Sequence, residues 1–367
     1  MDFAFSEEQD MLRQQARSFL ADKFSPERVA ELAQSDAGWD PGSWSSIAEL
    51  GWIGLSAPEE AGGAGMTFLD EAVVLEELGT ALYPGPYFST VALALPALEQ
   101  SPELLARVVA GEQAATLAWA EAGASTSLTN IDGSATTARE EGGSWVLNGA
   151  KVLVPDLGAA GIVVVTAIGP EGPGLWAVDL SALTGAVGAV STMDATRRYG
   201  TLTLKDAPAE LLAGPDSAGE VLGRIHLRAL AALAVEAVGI GQRALDLAKL
   251  HATERTQFDR PIGAYQAVAH QVADTYMGVE LARSMAYWAA WCVAEADPQA
   301  ATAAAAAKSM AAEIAVVACE RSIQVHGGIG FTWEHILHRY YKRAQWIDAF
   351  EGFGTPQRAA VADALLA

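Results

Sequence analysis

Apolar positions fall into three successive regimes along the chain. Up to about residue 112 they recur every three or four residues. Met11, Leu12, Ala16, Phe19 and Leu20 share one face of a first helix, and Ser6 followed by Gln9 three residues later is the capping box that starts it. Asp40-Pro41 and Ser101-Pro102 each put a capping side chain before a proline at the first helical position, with Gly51 and Gly111 as stops. Ser56-Ala57-Pro58-Glu59-Glu60-Ala61-Gly62-Gly63 between them is a turn-rich loop. From 113 to about 213 short β-type runs replace the helical period, at 116–120, 144–147, 150–154, 161–166, 174–180 and 200–204. Asn148-Gly149 between two of these runs predicts a type I′ hairpin. The spacing and turn density suit a small barrel or a sandwich. After Gly214-Pro215 the helical period returns in four long segments, 216–257, 264–295, 299–325 and 333–350, with Asp297-Pro298 at one boundary. Four such segments in sequence predict a bundle. The alanine run 303–307 continues into a stripe of Met310, Ile314 and Val317, which marks a closely packed helix face. The predicted fold is mainly α with a β insert: an N-terminal helical domain (1–112), a middle β-barrel domain (113–213) and a C-terminal four-helix bundle (214–367).

Composition narrows the function more than the fold. A chain of 367 residues supports two or three cores, and 51% apolar with 19% charged residues is ordinary for a globular protein. No uninterrupted apolar run of membrane-spanning length is evident and no leader-like segment opens the sequence, so a cytoplasmic protein without a membrane role is expected. Cys292 and Cys319 lie in alanine-rich helical segments without metal or disulfide spacing, as buried thiols do. A net charge of −22 with no offsetting basic patch excludes nucleic acid as a partner. There is no P-loop, no G-x-S-x-G and no G-x-G-x-x-G after a strand. His335 and His338 share a segment without the H-E-x-x-H pattern, so no metal is expected.

The densest chemistry lies near the C-terminus. In Gln324-Val325-His326-Gly327-Gly328-Ile329-Gly330-Phe331 the glycines let bare backbone N–H groups approach an anion. The stretch 331–350 is long enough for a helix of about 30 Å at roughly 1.5 Å per residue. Gly352 ends it, leaving the carboxylate of Glu351 between Phe350 and Phe353. Upstream, Glu254-Arg255-Thr256-Gln257-Phe258-Asp259-Arg260-Pro261-Ile262-Gly263 closes another helical segment, with Gln266 just beyond.

These stretches resemble the acyl-CoA dehydrogenase family, flavoenzymes that desaturate acyl thioesters. The family carries an R-x-x-F-G-x-x-I turn, a Q-x-x-G-G-x-G-F run and, at a fixed distance, a Glu in Y-E-G-T. The register from Gln324 to Glu351 fits without a gap, and the similarity runs from the Phe5-Ser6-Glu7-Glu8-Gln9 opening to the last helix. The resemblance implies FAD as cofactor and Glu351 as the base that takes the substrate's α proton. It implies FAD contacts from Arg255, Phe258, Gln266, Gln324, Gly327 and Gly328, with the Arg and Phe reaching a neighbouring subunit's flavin, and His326 beside them. It further implies an acyl-CoA substrate, an electron-transfer flavoprotein as reoxidant, and a homodimer or homotetramer. An anionic CoA on so acidic a chain needs local cations, for which Arg255, Arg260, Arg339 and Lys342 are candidates; Arg255 could instead form a surface ion pair with Glu254 or Asp259.

The β region departs from the family pattern. Trp119 and Ala120 stand in the flavin-binding strand, with Ala120 where the family has Thr, and Leu153-Val154-Pro155 replaces W-I-T. Trp119 either packs at the flavin or belongs to the β core. Asp259 replaces a Gly. Two further readings therefore stand beside a self-sufficient dehydrogenase: a subunit of a heterotetramer sharing its flavin with a paralogous chain, as in sterol side-chain enzymes, and an oxidase or acyl-carrier-protein desaturase. Some relatives take their base from a position that falls here near Arg228-Ala229, which holds no carboxylate; Glu236 is the less favoured substitute.

Overall fold

The computed structural model describes residues 5–131 and 133–366. The helices are α1 (Glu7–Lys23), α2 (Pro26–Gln34), α3 (Pro41–Glu49), α4 (Phe68–Ala81), α5 (Leu95–Leu98), α6 (Pro102–Val109), α7 (Pro215–Glu254), α8 (Gln266–Ala294), α9 (Ala300–His326), α10 (Leu337–Ala349) and α11 (Thr355–Leu366). The strands are β1 (Ala114–Ala118), β2 (Thr137–Glu141), β3 (Ser144–Pro155), β4 (Ala160–Gly169), β5 (Gly172–Asp179), β6 (Val187–Val190), β7 (Tyr199–Ala213), β8 (Thr256–Gln257) and β9 (Arg260–Pro261). Two compact units result, one made of the N-terminus to Glu31, Phe68–Tyr83 and Leu230 onward, the other of Leu32–Thr67 and Pro84–Ala229.

The first unit is helical. The capping box opens α1: Gln9 N donates to Ser6 Oγ and Ser6 N to Gln9 Oε1. At its centre α9 packs against α8, α10 and α11 through Ala303, Ala304, Ala307, Ala311, Ala312, Ala315 and Ala318, all buried, so small side chains bring the helix axes close. The crossing of α4 and α7 is tighter still. A Cβ on Gly79 would run into the Glu236 carbonyl, and one on Gly239 into that of Glu76. The stretch Ala300–Phe331 is, against expectation, long and apolar enough to cross a membrane. It is 61% buried over its apolar window, as a core helix is.

The predicted helix 333–350 begins only at Leu337. Thr332 Oγ1 donates to Ile329 O (2.9 Å) and Leu337 N to His335 Nδ1 (3.3 Å), local bonds that compete with helix. Thirteen helical residues remain, about 20 Å at ~1.5 Å each. The sequence pattern did not single out α11, which packs on α9.

The second unit holds the seven-stranded sheet of β1 to β7, while the short β8–β9 hairpin lies in the first. β3 pairs with β2 and β7, β7 with β5, β5 with β4, and β4 reaches β2 at Thr137↔Ile168, so the ring closes. Of barrel and sandwich, the barrel forms. Its core includes Leu147, Val163, Val165, Trp176, Val178, Leu202 and Leu204. The hairpin falls at Gly142-Gly143 (φ 59° and 83°), not at Asn148-Gly149. Asn148 lies inside β3, where its side chain bonds Asp206 Oδ1 (2.9 Å) and Asp206 N (3.0 Å). Gly149 marks a register shift where Thr136 leaves no room for a Cβ. The Asn-Gly pair thus serves a bulge and a close approach.

Candidate functional site

α10 stops at Ala349, and the chain then makes a turn of four successive positive φ angles: Glu351 55°, Gly352 93°, Phe353 40° and Gly354 72°. Two of these residues carry side chains, and left-handed backbone costs roughly 1–2 kcal/mol for such a residue. Strain of this kind persists only where surrounding contacts over-determine it, as at functional sites. Here Gly352 N donates to Ala349 O (3.0 Å), Thr355 N to Gly352 O (3.2 Å) and the buried Gln357 Nε2 to Glu351 O (2.8 Å). Phe350 is buried beneath the turn, and the Glu351 side chain is half-buried at its apex.

The competing positions for a base are otherwise engaged. Glu236 Oε1 lies 2.5 Å from Arg343 Nη1, both groups buried, so this carboxylate is locked in an ion pair inside the helical unit. Arg228 donates to Val91 O (2.9 Å) and Ser56 Oγ (2.6 Å).

The glycine cluster closes α9. Gly327 has φ 65° and ψ −144°, a conformation that favours glycine, yet a Cβ on Gly327 or Gly328 would meet nothing within 4 Å. Open space over bare backbone is what an anion-binding cradle requires and what mere packing does not. Gln324, Gln266 and Arg255 are exposed, and the Arg255 side chain makes no ion pair with Glu254 or Asp259 among the described residues. The β8–β9 hairpin has Phe258 (φ 52°) and Asp259 (φ 65°) at its two central positions, so Asp takes the left-handed place of the family glycine. That turn leaves Phe258 86% exposed.

Of the candidate cations, Arg260 stacks over Tyr265 (4.0 Å) and Lys342 over Trp333 (4.2 Å), while Arg339 is buried and offers no surface charge. Beside the glycines three imidazoles gather, which their separation in sequence concealed. His326 stacks on His251 (4.3 Å) and tilts against His335 (4.6 Å). Burial, with the neighbouring imidazoles adding to it against a bond to Ser322 O, pulls His326 down to about 4, so it is neutral at physiological pH. No group among the described residues is arranged to hold a metal.

In the β unit, Ala120 is buried with its carbonyl accepting from Val152 N (2.9 Å), and the Trp119 indole N–H donates to Thr126 O (2.8 Å) within its own loop. Next in sequence, Glu121 accepts from Lys151 Nζ (2.6 Å), Thr136 Oγ1 (2.6 Å), Ala135 N (2.6 Å) and Thr136 N (3.1 Å), and from Ser134 Oγ. Burial raises the Glu121 carboxyl, but the bonds from Lys151, Ser134, Thr136 and Ala135 outweigh it and hold it at about 2. Leu153 (φ 51°) is partly exposed, and Pro155 O accepts from Thr116 Oγ1 (2.6 Å). The side chains at 120, 153 and 155 supply no polar donor. The helical unit thus presents an open glycine backbone at Gly327-Gly328 and, in Arg255, an arginine without an ion pair among the described residues. The β unit offers only backbone groups at these three positions.

Comparisons with known proteins identify the family. Residues 6–112 match the model for the acyl-CoA dehydrogenase N-terminal domain, and residues 227–366 that for the C-terminal domain. The acyl-CoA dehydrogenase IpdE2 of Mycobacterium tuberculosis is 35% identical over 341 residues, 92% of this chain and 91% of that protein. Among solved structures, a variant of the Tcur3481-Tcur3483 steroid ACAD is 32% identical with a TM-score of 0.85, covering 98% of each chain. The ChsE4-ChsE5 complex from Mycobacterium tuberculosis is 28% identical with a TM-score of 0.86, covering 100% of this chain and 99% of that one. Helical flanks around a central β sheet, both domain matches and a relative spanning nine-tenths of the sequence place this chain in the acyl-CoA dehydrogenase family, FAD-dependent oxidoreductases acting on CH–CH bonds.

Proposed function

We propose that this chain catalyses α,β-desaturation of an acyl-CoA thioester to the trans-2-enoyl thioester, with Glu351 as the base for the α proton. The observation that carries the reading is the turn after α10, where the only carboxylate of the Phe350–Gly354 stretch is held half-buried on strained backbone. An α proton is weakly acidic, so its removal needs a positioned carboxylate whose surroundings exclude bulk water. FAD, when bound, supplies the two-electron acceptor for the β hydride, and an electron-transfer flavoprotein reoxidises it. Gly327, Gly328, Arg255, Gln266 and Gln324 would hold its anionic and polar parts from the helical unit, and Phe258 would cover it. Because these groups face outward, they suit the flavin of a neighbouring subunit.

A second reading is favoured by a specific observation. Ala120, Leu153 and Pro155 leave the β unit without side-chain donors, and two similar solved structures are by name two-chain assemblies, one of them a steroid enzyme. This chain then works as one subunit of a heteromer with a paralogous chain, acting on a bulky, ring-bearing acyl group.

The test is to incubate purified chain, alone and co-purified with a paralogue, with straight-chain and steroid-bearing acyl-CoA plus an electron acceptor, and to weigh the product. Loss of two hydrogens by the chain alone supports the self-sufficient enzyme. Loss only with the paralogue supports the shared site, and loss in neither case contradicts both.

A further inference from the structure

We propose that Lys308 is a positioning residue for Glu351: from the middle of α9 it anchors the strained turn and supplies the positive charge that keeps the carboxylate ionised. The inference rests on the reading of Glu351 as the base. It begins from a lysine in an unlikely place. Lys308 lies in the alanine-rich stripe of α9, its side chain fully buried, where an apolar residue would pack without desolvating an ammonium.

Its surroundings show what it is for. The ammonium donates to Asp348 O at 2.7 Å. That carbonyl belongs to the last turn of α10, where carbonyls lack helical partners and the helix dipole is negative. Three residues later the chain enters the positive-φ run that carries Glu351. Lys308 makes no ion pair within 4 Å among the described residues, unlike Lys151, which sits 2.6 Å from Glu121. The charged groups that act on it are Asp348 on α10 and Glu351 in the turn; Arg358 of α11 is engaged with the exposed Glu313 of α9.

The electrostatics run in both directions. Burial lowers the Lys308 ammonium to about 8, and the negative charges of Asp348 and Glu351 act against that fall, so the proton is held at neutral pH. By the same Coulomb attraction the ammonium favours the ionised form of Glu351. A base must be ionised before it can take a proton, so the cation acts on the reactive state of a neighbour without touching the substrate.

The test follows exchange of the substrate's α hydrogen for deuterium in D2O, by mass spectrometry, with flavin-loaded wild-type protein, Lys308→Met and Lys308→Gln across pH 5 to 10. The wild-type rate should rise as Glu351 ionises and then level off, since the carboxylate stays ionised at higher pH. In Lys308→Met the acidic limb should move up by about one pH unit or more, with flavin absorbance and melting temperature retained. Lys308→Gln keeps a neutral donor and gives the same reading should the Met variant not accumulate; its profile should resemble that of Met. A wild-type profile in either variant overturns the proposal. Glu351→Gln serves as the control. If it still exchanges, the assignment of the base fails; if it does not, while Lys308→Met keeps the wild-type profile, only the role of Lys308 fails.

Discussion

Lys151 in the barrel and Lys308 in the helical unit are both fully buried, yet they are kept charged by different means. Lys151 meets the Glu121 carboxylate directly and adds Thr166 Oγ1 at 3.0 Å, while Glu121 gathers the Ser134–Thr136 segment around it. That is a closed structural knot: each charge has a permanent opposite, and the loop after β1 is tied to the barrel wall. Lys308 has a backbone carbonyl and two carboxylates, Asp348 and Glu351, in electrostatic reach. A permanent salt bridge suits a group that never changes charge, and a cation left short of one can act on a neighbour that does. The contrast extends to the two units. The helical one has the half-buried Glu351, an open glycine backbone and, among the described residues, an arginine without an ion pair, whereas the barrel has side chains without polar donors at 120, 153 and 155.

Breaking the barrel's knot should have the largest effect. Lys151→Met leaves the Glu121 carboxylate buried without its cation and should cost ~3–5 kcal/mol in chemical denaturation, with Lys151→Met/Glu121→Gln recovering part of it. The pH dependence has a definite sign. Because Glu121 is held at about 2, its contribution is present above the usual carboxylate pKa and is lost as pH falls through about 4 toward 2. Wild-type protein should lose stability in that window more steeply than the double variant. Equal acid curves would show that the knot carries no stability.

On the helical side, Arg255→Ala tests the proposed charge-assisted contact to the cofactor. Flavin affinity should weaken by ~1.5–3 kcal/mol, roughly ten- to a hundredfold, measured by equilibrium dialysis. Unchanged affinity would remove Arg255 from the cofactor site. The smallest effect should come from restoring what the barrel lacks. Ala120→Thr should tighten flavin by up to ~10-fold, the value of about one hydrogen bond, if the ring lies at β1. No gain in the solitary chain, with full flavination on mixing with a paralogue, would favour the shared site.

Much of the fold was legible because periodicity reports burial directly. The long helices, the capping box at Ser6 and the strand-rich middle all follow from spacing. What escaped depended on partners distant in sequence. Asn148-Gly149 looked like a hairpin because a bulge and a turn use the same residues, and only Thr136 and Asp206 reveal which is built. β2, with one buried position in five, left no apolar alternation to detect. At the candidate site Glu351, Arg255, Gly327 and Gly328 were visible as linear motifs. Lys308 and the His251–His326–His335 stack were not, since each is defined by contacts between residues distant in sequence.

The central claim is that the carboxylate on the turn after α10 is the base, and paired variants test it most directly. Flavin-loaded Glu351→Gln and Glu236→Gln would be mixed anaerobically with acyl-CoA, and the rate of flavin bleaching followed by stopped flow. Glu351→Gln should retain its flavin and lose on the order of 10²-fold or more in rate, as expected when a positioned general base is removed. Glu236→Gln, which breaks the buried pair with Arg343, should lower thermal stability while the folded protein bleaches at close to the wild-type rate. Wild-type bleaching by Glu351→Gln, with the loss falling on Glu236→Gln, would contradict the account.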